Sequence, residues 1–133
     1  MKNDMEAARR CEDVLIGVLY NSQNEKPSLL FDGDQFFDFF FDHQESGNFP
    51  LILGDIKFFD TPFGFASPDM SQALTNLVSR ACMDFEFGVF FTKYHFNKNE
   101  GIYRGVLKRI PDALGFEYLG NEFYKRFGED ASN

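Results

Sequence analysis

Two cysteines and two histidines, Cys11, Cys82, His43 and His95, are the side chains of this sequence best suited to nucleophilic or metal chemistry. A thiolate beside an imidazole is the minimal covalent catalyst, and Cys82 with His95 is the pair that spacing would allow. The sequence supplies no third group to orient the imidazole, and a cysteine on an apolar helix face and a histidine at a strand end read as structural. Asp42, His43 and Glu45 crowd one helix end, but neither an HExxH spacing nor a CxxC pair is present, and the oxygen-rich NKNEG stretch lacks the spacing and closing glutamate of an EF-hand. No metal is expected. The two cysteines, far apart in sequence, read as reduced thiols rather than a disulfide framework.

Carboxylates form a different kind of pattern. Asp34, Asp38 and Asp42 recur every four residues within DQFFDFFFDH, where Phe36, Phe37, Phe39, Phe40 and Phe41 fill the intervening positions. On a helix the aspartates make one acidic stripe and the phenylalanines a wide apolar face; as a strand the same run would send Phe39, Phe40 and Phe41 to both sides without alternation. The spacing therefore predicts a helix, with Asp34 as its N-cap, Gly47 beyond its end, and its aromatic face pinned against a sheet. Such a stripe could imitate a phosphate backbone and occupy the basic groove of a nuclease, repressor or polymerase, or it could be a solvated face.

The whole chain supports the acidic theme. Its net charge is −8, with −9 in residues 1–92 and +1 in residues 93–133. General nucleic-acid binding and attraction to anionic membranes are disfavoured, apart from a small basic excess at Lys93, Arg104, Lys108, Arg109, Lys125 and Arg126. At 133 residues with 44% hydrophobic content, 19 Phe and no Trp, the chain suits one well-packed domain over residues 1–133. No apolar run approaches a membrane span and no secretion signal is visible, so a soluble, cytoplasmic protein is expected.

The elements that must position these residues follow from periodicity and punctuation. MEAARRCEDVLIGVLYN predicts a first helix through Met5, Ala8, Cys11 or Glu12, Leu15 and Leu19, with VLIGVLY also readable as a buried strand, and NSQNEKPS a loop. NFPLILGDIKFFDTPFGFAS reads as two or three short strands joined by turns at Gly54–Asp55 and Thr61–Pro62. SPDMSQALTNLVSRACMDF reads as a helix capped by Ser67 or Ser71, with Pro68 in its first turn. FEFGVFFTKYHF predicts a strand, NKNEGIYRGVLKRI a helix capped by Asn97 or Asn99 and stopped by Pro111, and GFEYLG and NEFYKRF two short strands around a Gly120–Asn121 turn. The fold class is α/β (α+β): a mixed, largely antiparallel sheet flanked by helices on both faces.

This order, with the strand GVFFTKYHF, the asparagines of NKNE, and the tail LGFEYLGNEFYKRF, resembles the GNAT superfamily of acyl-CoA-dependent N-acyltransferases. In order the resemblance spans most of the chain; in wording it spans about the last fifty residues. It implies acetyl-CoA as the cofactor, its pyrophosphate cradled by backbone amides at a helix N-terminus. The nearest match to the family's pyrophosphate loop is TPFGFA, Thr61 to Ala66, so the resemblance implies a cofactor site at Gly64, Phe65 and Ala66, with Asn97 and Asn99 from NKNE. Thr61 stands where the family places Gln or Arg. The tyrosine that family members use as general acid has no counterpart in RIPDALGF, Tyr103 lying about three turns upstream as a packing residue, so catalytic residues stay unassigned. The resemblance thus implies an acyl-CoA-binding N-acyltransferase, or a reduced non-catalytic domain like those of phage proteins, virion components of short-tailed phages among them. The residues themselves leave an alternative of another class: an acidic inhibitor that engages a basic protein partner through its N-terminal two-thirds.

Overall fold

A computed structural model describes residues 4–23, 27–31, 33–62, 64–87 and 92–128. The chain runs α1 (Asp4–Tyr20), β1 (Ser28–Phe31), α2 (Gly33–Glu45), α3 (Pro50–Leu53), β2 (Phe59–Thr61), β3 (Gly64–Ala66), α4 (Pro68–Ser79), β4 (Met83–Phe87), β5 (Thr92–Phe96), α5 (Glu100–Arg109) and α6 (Ala113–Phe127). It is a mixed α and β fold in which every strand pairing is antiparallel. The strands divide between a three-stranded sheet, ordered β1-β5-β4, and a separate β2-β3 hairpin. Among the described residues no helix is long and apolar enough to cross a membrane.

One continuous apolar cluster binds the elements together. From α1 it takes Cys11, Val14, Leu15, Val18 and Leu19, and from α6 Phe116, Leu119, Phe123 and Phe127. The aromatic face of α2 enters the same cluster: Phe36, Phe39 and Phe40 are fully buried, and each lies edge-on or tilted against Phe123. Phe31 on β1 is the hub, stacked on Phe36 at 4.9 Å and on Tyr94 at 4.4 Å while meeting the edges of Phe123 and Phe127. Each buried phenylalanine contributes about 1.5–3 kcal/mol of transfer free energy, and offset or edge-on ring pairs add to it. The spacing-based reading of DQFFDFFFDH as a helix seated against a sheet and its neighbours is what the fold contains. Phe41 points the other way, stacking on Phe65 of the hairpin at 3.8 Å, so α2 also carries β2 and β3.

Helix ends follow the sequence signals closely. Ser67 caps α4 by accepting from Met70 N, with Pro68 in the first turn, and Asn99 caps α5 by accepting from Ile102 N. Past α2, Gly47 takes φ 73°, the left-handed conformation that lets its amide turn back to Gln44 O at 2.9 Å. Asp34 lies inside α2, which begins one residue earlier, and its side chain is outside the described set.

Three expectations are corrected. GFEYLG and NEFYKRF are not a strand pair but a single helix, α6, whose buried positions Phe116, Leu119, Gly120, Phe123, Tyr124 and Phe127 keep a helical period. Gly120 is there for close approach rather than for a turn: a Cβ on it would lie 2.7 Å from Val18 O and from the Asn21 carbonyl carbon on the α1 side. PLIL, expected as a strand, is the short helix α3, entered through Phe49 at φ 54°, ψ 56° and begun by Pro50. SLLF, to which the sequence analysis assigned no element beyond Ser28, is β1, with Leu29 and Phe31 inward. FEFGVFFTKYHF, expected as one strand, divides between β4 and β5, which pair from Met83↔Phe96 to Phe87↔Thr92; residues 88–91 lie outside the described residues.

Candidate functional site

The residues assigned to a cofactor loop by family resemblance fall in two places. Gly64, Phe65 and Ala66 form β3 and pair with Thr61, Asp60 and Phe59 of β2. They precede the first turn of α4. Asn97 donates to Ala81 O and its amide bonds Cys82 O, just past the last turn of the same helix, while Asn99 serves as the cap of α5. The twelve residues of α4 separate the two groups, a distance of about 18 Å at 1.5 Å per residue. Gly64 adopts φ 118°, a backbone conformation suited to the hairpin turn it closes. The N-terminus of α4 is also occupied from within: the buried Ser67 hydroxyl accepts from Met70 N and its carbonyl from Ser71 N. The structure does not gather these five residues into one cradle.

The catalytic candidates are likewise dispersed. Cys11 is buried, and burial pushes its thiol up to about 12, aided by the nearby Asp69 carboxylate, which holds it as an unreactive thiol at neutral pH. His95 faces away from Cys82 chemistry: its Nδ1 lies 2.9 Å from Ser28 Oγ and its Nε2 3.7 Å from Glu86 Oε1. This Ser28–His95–Glu86 row spans β1, β5 and β4. It has the residue types of a hydrolytic triad, but the imidazole nitrogens are reversed relative to that mechanism and the carboxylate stands beyond hydrogen-bond distance. Tyr103 is buried in stacking with Tyr20 at 4.2 Å, and its hydroxyl accepts from Asn21 Nδ2 at 3.0 Å; burial raises its pKa. His43 packs tilted on Phe39 at 4.8 Å, and burial lowers its pKa. No group of three or more metal-ligating His, Cys, Asp or Glu side chains comes together among the described residues.

The acidic stripe fares differently. On α2 the buried residues Phe36, Phe39 and Phe40 set the inward direction, and Asp38, Asp42 and Glu45, at i, i+4 and i+7, define the opposite side. Asp42 and Glu45 are exposed and Asp38 is partly so; none of the three makes an ion pair with a described residue. On one flank stands the hairpin bearing Asp60, with Phe59 54% exposed. At the C-terminal end of α2, Tyr118 lies 6.2 Å from the His43 ring and 5.3 Å from Phe49, and beyond it Leu51 and Leu114 are exposed.

Among the described residues, Arg80, Arg104, Arg109 and Lys125 pair with carboxylates. Arg109 makes a forked contact with Asp13 through Nε at 2.7 Å and Nη2 at 2.9 Å, a bond that keeps the guanidinium charged. Arg80 Nη1 lies 2.7 Å from Glu12 Oε1, and the pairs Arg104–Glu100 and Lys125–Glu122 follow helical spacing. The basic excess seen in the last third of the sequence is thus partly consumed by local carboxylates, so it does not form one patch. Sequence reading missed a second feature: Arg9, Glu12 and Arg80 line two adjoining cavities of about 460 and 690 Å³ along α1. The available signal was Glu12 itself, a charged residue at a position where the period of α1 turns inward. Compared with family models, curated proteins and solved structures, the chain matches none.

Proposed function

We propose that the protein is a non-catalytic binding protein that engages a basic protein partner through the carboxylate side of α2. The observation that carries this reading is the row Asp38, Asp42 and Glu45, which has no cation partner among the described residues, while Arg80, Arg104 and Arg109 are matched to carboxylates. Successive carboxylates on such a row stand about 6 Å and about 4.5 Å apart along the helix axis, so their potentials add in front of the helix. A basic groove that normally holds nucleic acid is the complementary surface. Exposed apolar side chains on neighbouring elements, Phe59 on the hairpin that stacks on α2 and Tyr118 beside His43 at the end of α2, supply contact area that charge alone lacks.

Fast, salt-sensitive association is the signature of this mode, because the Debye length shrinks from about 10 Å at 0.1 M to about 3 Å at 1 M salt. The test is affinity capture from the cells that make the protein, with wild type and the D38N/D42N/E45Q triple variant as baits, followed by titration of the recovered basic protein in purified form. The expected result is a partner that binds wild type at low salt, loses affinity with added salt, gives up nucleic acid to the protein, and binds the triple variant at least tenfold more weakly. Equal affinity for wild type and the triple variant, or binding indifferent to salt, overturns the proposal.

A further inference from the structure

On the α1 face away from α2, the geometry points to a separate binding site for a small phosphorylated, hydroxyl-bearing molecule, held by Arg9, Arg80 and Arg109. Two cavities meet there. The smaller, about 460 Å³, opens between α1 and α4 and is walled by Gln72, Asn76 and Ser79; the larger, about 690 Å³, continues towards α5, Ile102 and Arg109. Arg9, Glu12 and Arg80 belong to both. These volumes lie within the range of small-molecule sites and exceed what a bare anion fills.

Glu12 is the reason to see more than a surface groove. It is 3% exposed, on a helix position that an apolar residue would serve at less desolvation cost. Its Oε2 accepts from Asn76 Nδ2 at 3.0 Å and its Oε1 meets Arg80 Nη1 at 2.7 Å, although that contact lacks hydrogen-bond alignment. The effect is to hold a guanidinium that is otherwise 57% exposed at the shared wall of the two cavities. Asp13 treats Arg109 the same way, occupying Nε and Nη2 and leaving the rest of an equally exposed fork free. Arg9 adds an exposed guanidinium that makes no ion pair with a described residue. Arg10, at the edge of the larger cavity, is turned away to Leu51 O at 2.5 Å and leaves its Nε buried without an acceptor.

The ligand class follows from this chemistry. The carboxylates of Glu12 and Asp13 are already matched by Arg80 and Arg109, and with Glu6 as the third carboxylate on the wall against Arg9, Arg10, Arg80 and Arg109, the lining keeps an excess of one positive charge. A carboxylate ligand is satisfied by one planar fork, whereas a phosphate presents oxygens in three directions and suits several arginines at once. Gln72 and Asn76, whose side-chain amides bond one another at 2.9 Å, with Ser79 beside them, offer donors and acceptors for hydroxyl groups on the body of the ligand.

The test uses thermal shift and phosphorus NMR on the full chain at constant ionic strength, with ribose 5-phosphate, inorganic phosphate and succinate as probes. The expected result is a rise in Tm of a few degrees with 10 mM ribose 5-phosphate, a smaller rise with inorganic phosphate, none with succinate, and broadening of the bound phosphorus signal. R80Q leaves the buried Glu12 carboxylate uncompensated and tests folding as much as binding, so R9Q, in no ion pair with a described residue, is the deciding variant: its ligand-free Tm should match wild type while the ribose 5-phosphate shift falls at least tenfold in apparent affinity. No shift with either phosphate, an equal shift with succinate, or full binding by R9Q overturns the site. Because these residues lie on α1, α4 and α5, none of these results depends on the carboxylate row of α2.

Discussion

At the scale of single residues, burial decides which titratable groups can respond to their surroundings. Cys11 is sealed in the core with its thiol pushed up to about 12, while Cys82 is half-buried at the rim of the larger cavity. Iodoacetamide at pH 8 should therefore label Cys82 first, with Cys11 modified only as fast as the protein unfolds; mass spectrometry of the two peptides checks the order, and early labelling of Cys11 would contradict the packing of α1. His43 gives a pH prediction. Its pKa is lowered in the folded protein by burial, so the unfolded chain binds its proton more readily, and stability is lost as pH falls from about 6.5 towards the folded-state value. H43Q should lose less Tm than wild type between pH 7 and pH 5, and identical slopes would show that His43 does not carry this term. Residue chemistry was also the least legible level in the sequence. Glu12 with Arg80 and Asp13 with Arg109 are ordinary charges in a list; only tertiary structure joins partners as much as 96 positions apart.

Among the elements, legibility tracked the strength of local physics. Helices α1, α2, α4 and α5 announce themselves through period and through the caps Ser67 and Asn99, which the backbone uses as the residue types dictate. Helix α6 carried the same signals, a helical period in its aromatics and Asp112 accepting from Gly115 N, but the Gly120–Asn121 dipeptide imitates a turn. Whether a glycine marks a turn or a close contact depends on a neighbour that sequence does not show, here the Val18–Asn21 backbone. G120A should accordingly destabilise by about 1–3 kcal/mol through overpacking against α1, and a neutral effect in urea unfolding would place α6 farther from α1. D112A should cost about 1 kcal/mol, the usual worth of a lost cap, measured the same way. Strand β1 was illegible for a simpler reason: four residues are too few to display alternation, and their identity as a strand comes from pairing with β5.

Considered as a whole molecule, the protein divides its charge as well as its structure. The α2 side holds carboxylates that make no ion pair with a described residue, whereas Arg80 and Arg109 are brought onto the wall of α1 by the buried Glu12 and the partly buried Asp13. The acidic row was readable because a four-residue repeat means the same thing on any helix, and the antiparallel α+β class was readable from the mixture of periods. Residue order alone did not show that the length of α4 stands between Gly64, Phe65 and Ala66 on one side and Asn97 and Asn99 on the other. With the first turn of α4 already capped, acetyl-CoA at 1 mM should leave Tm unchanged; an increase of several degrees, reversed by G64V, would restore the resemblance-based site.

The stacking of Tyr20 on Tyr103 has a practical corollary. With no Trp in the chain, ultraviolet emission comes from its five tyrosines alone, and two of them sit face to face where α1 meets α5. The same two helices are tied farther along by Arg109 on Asp13, so their separation by heat or denaturant carries its own built-in optical reporter without any dye or added label.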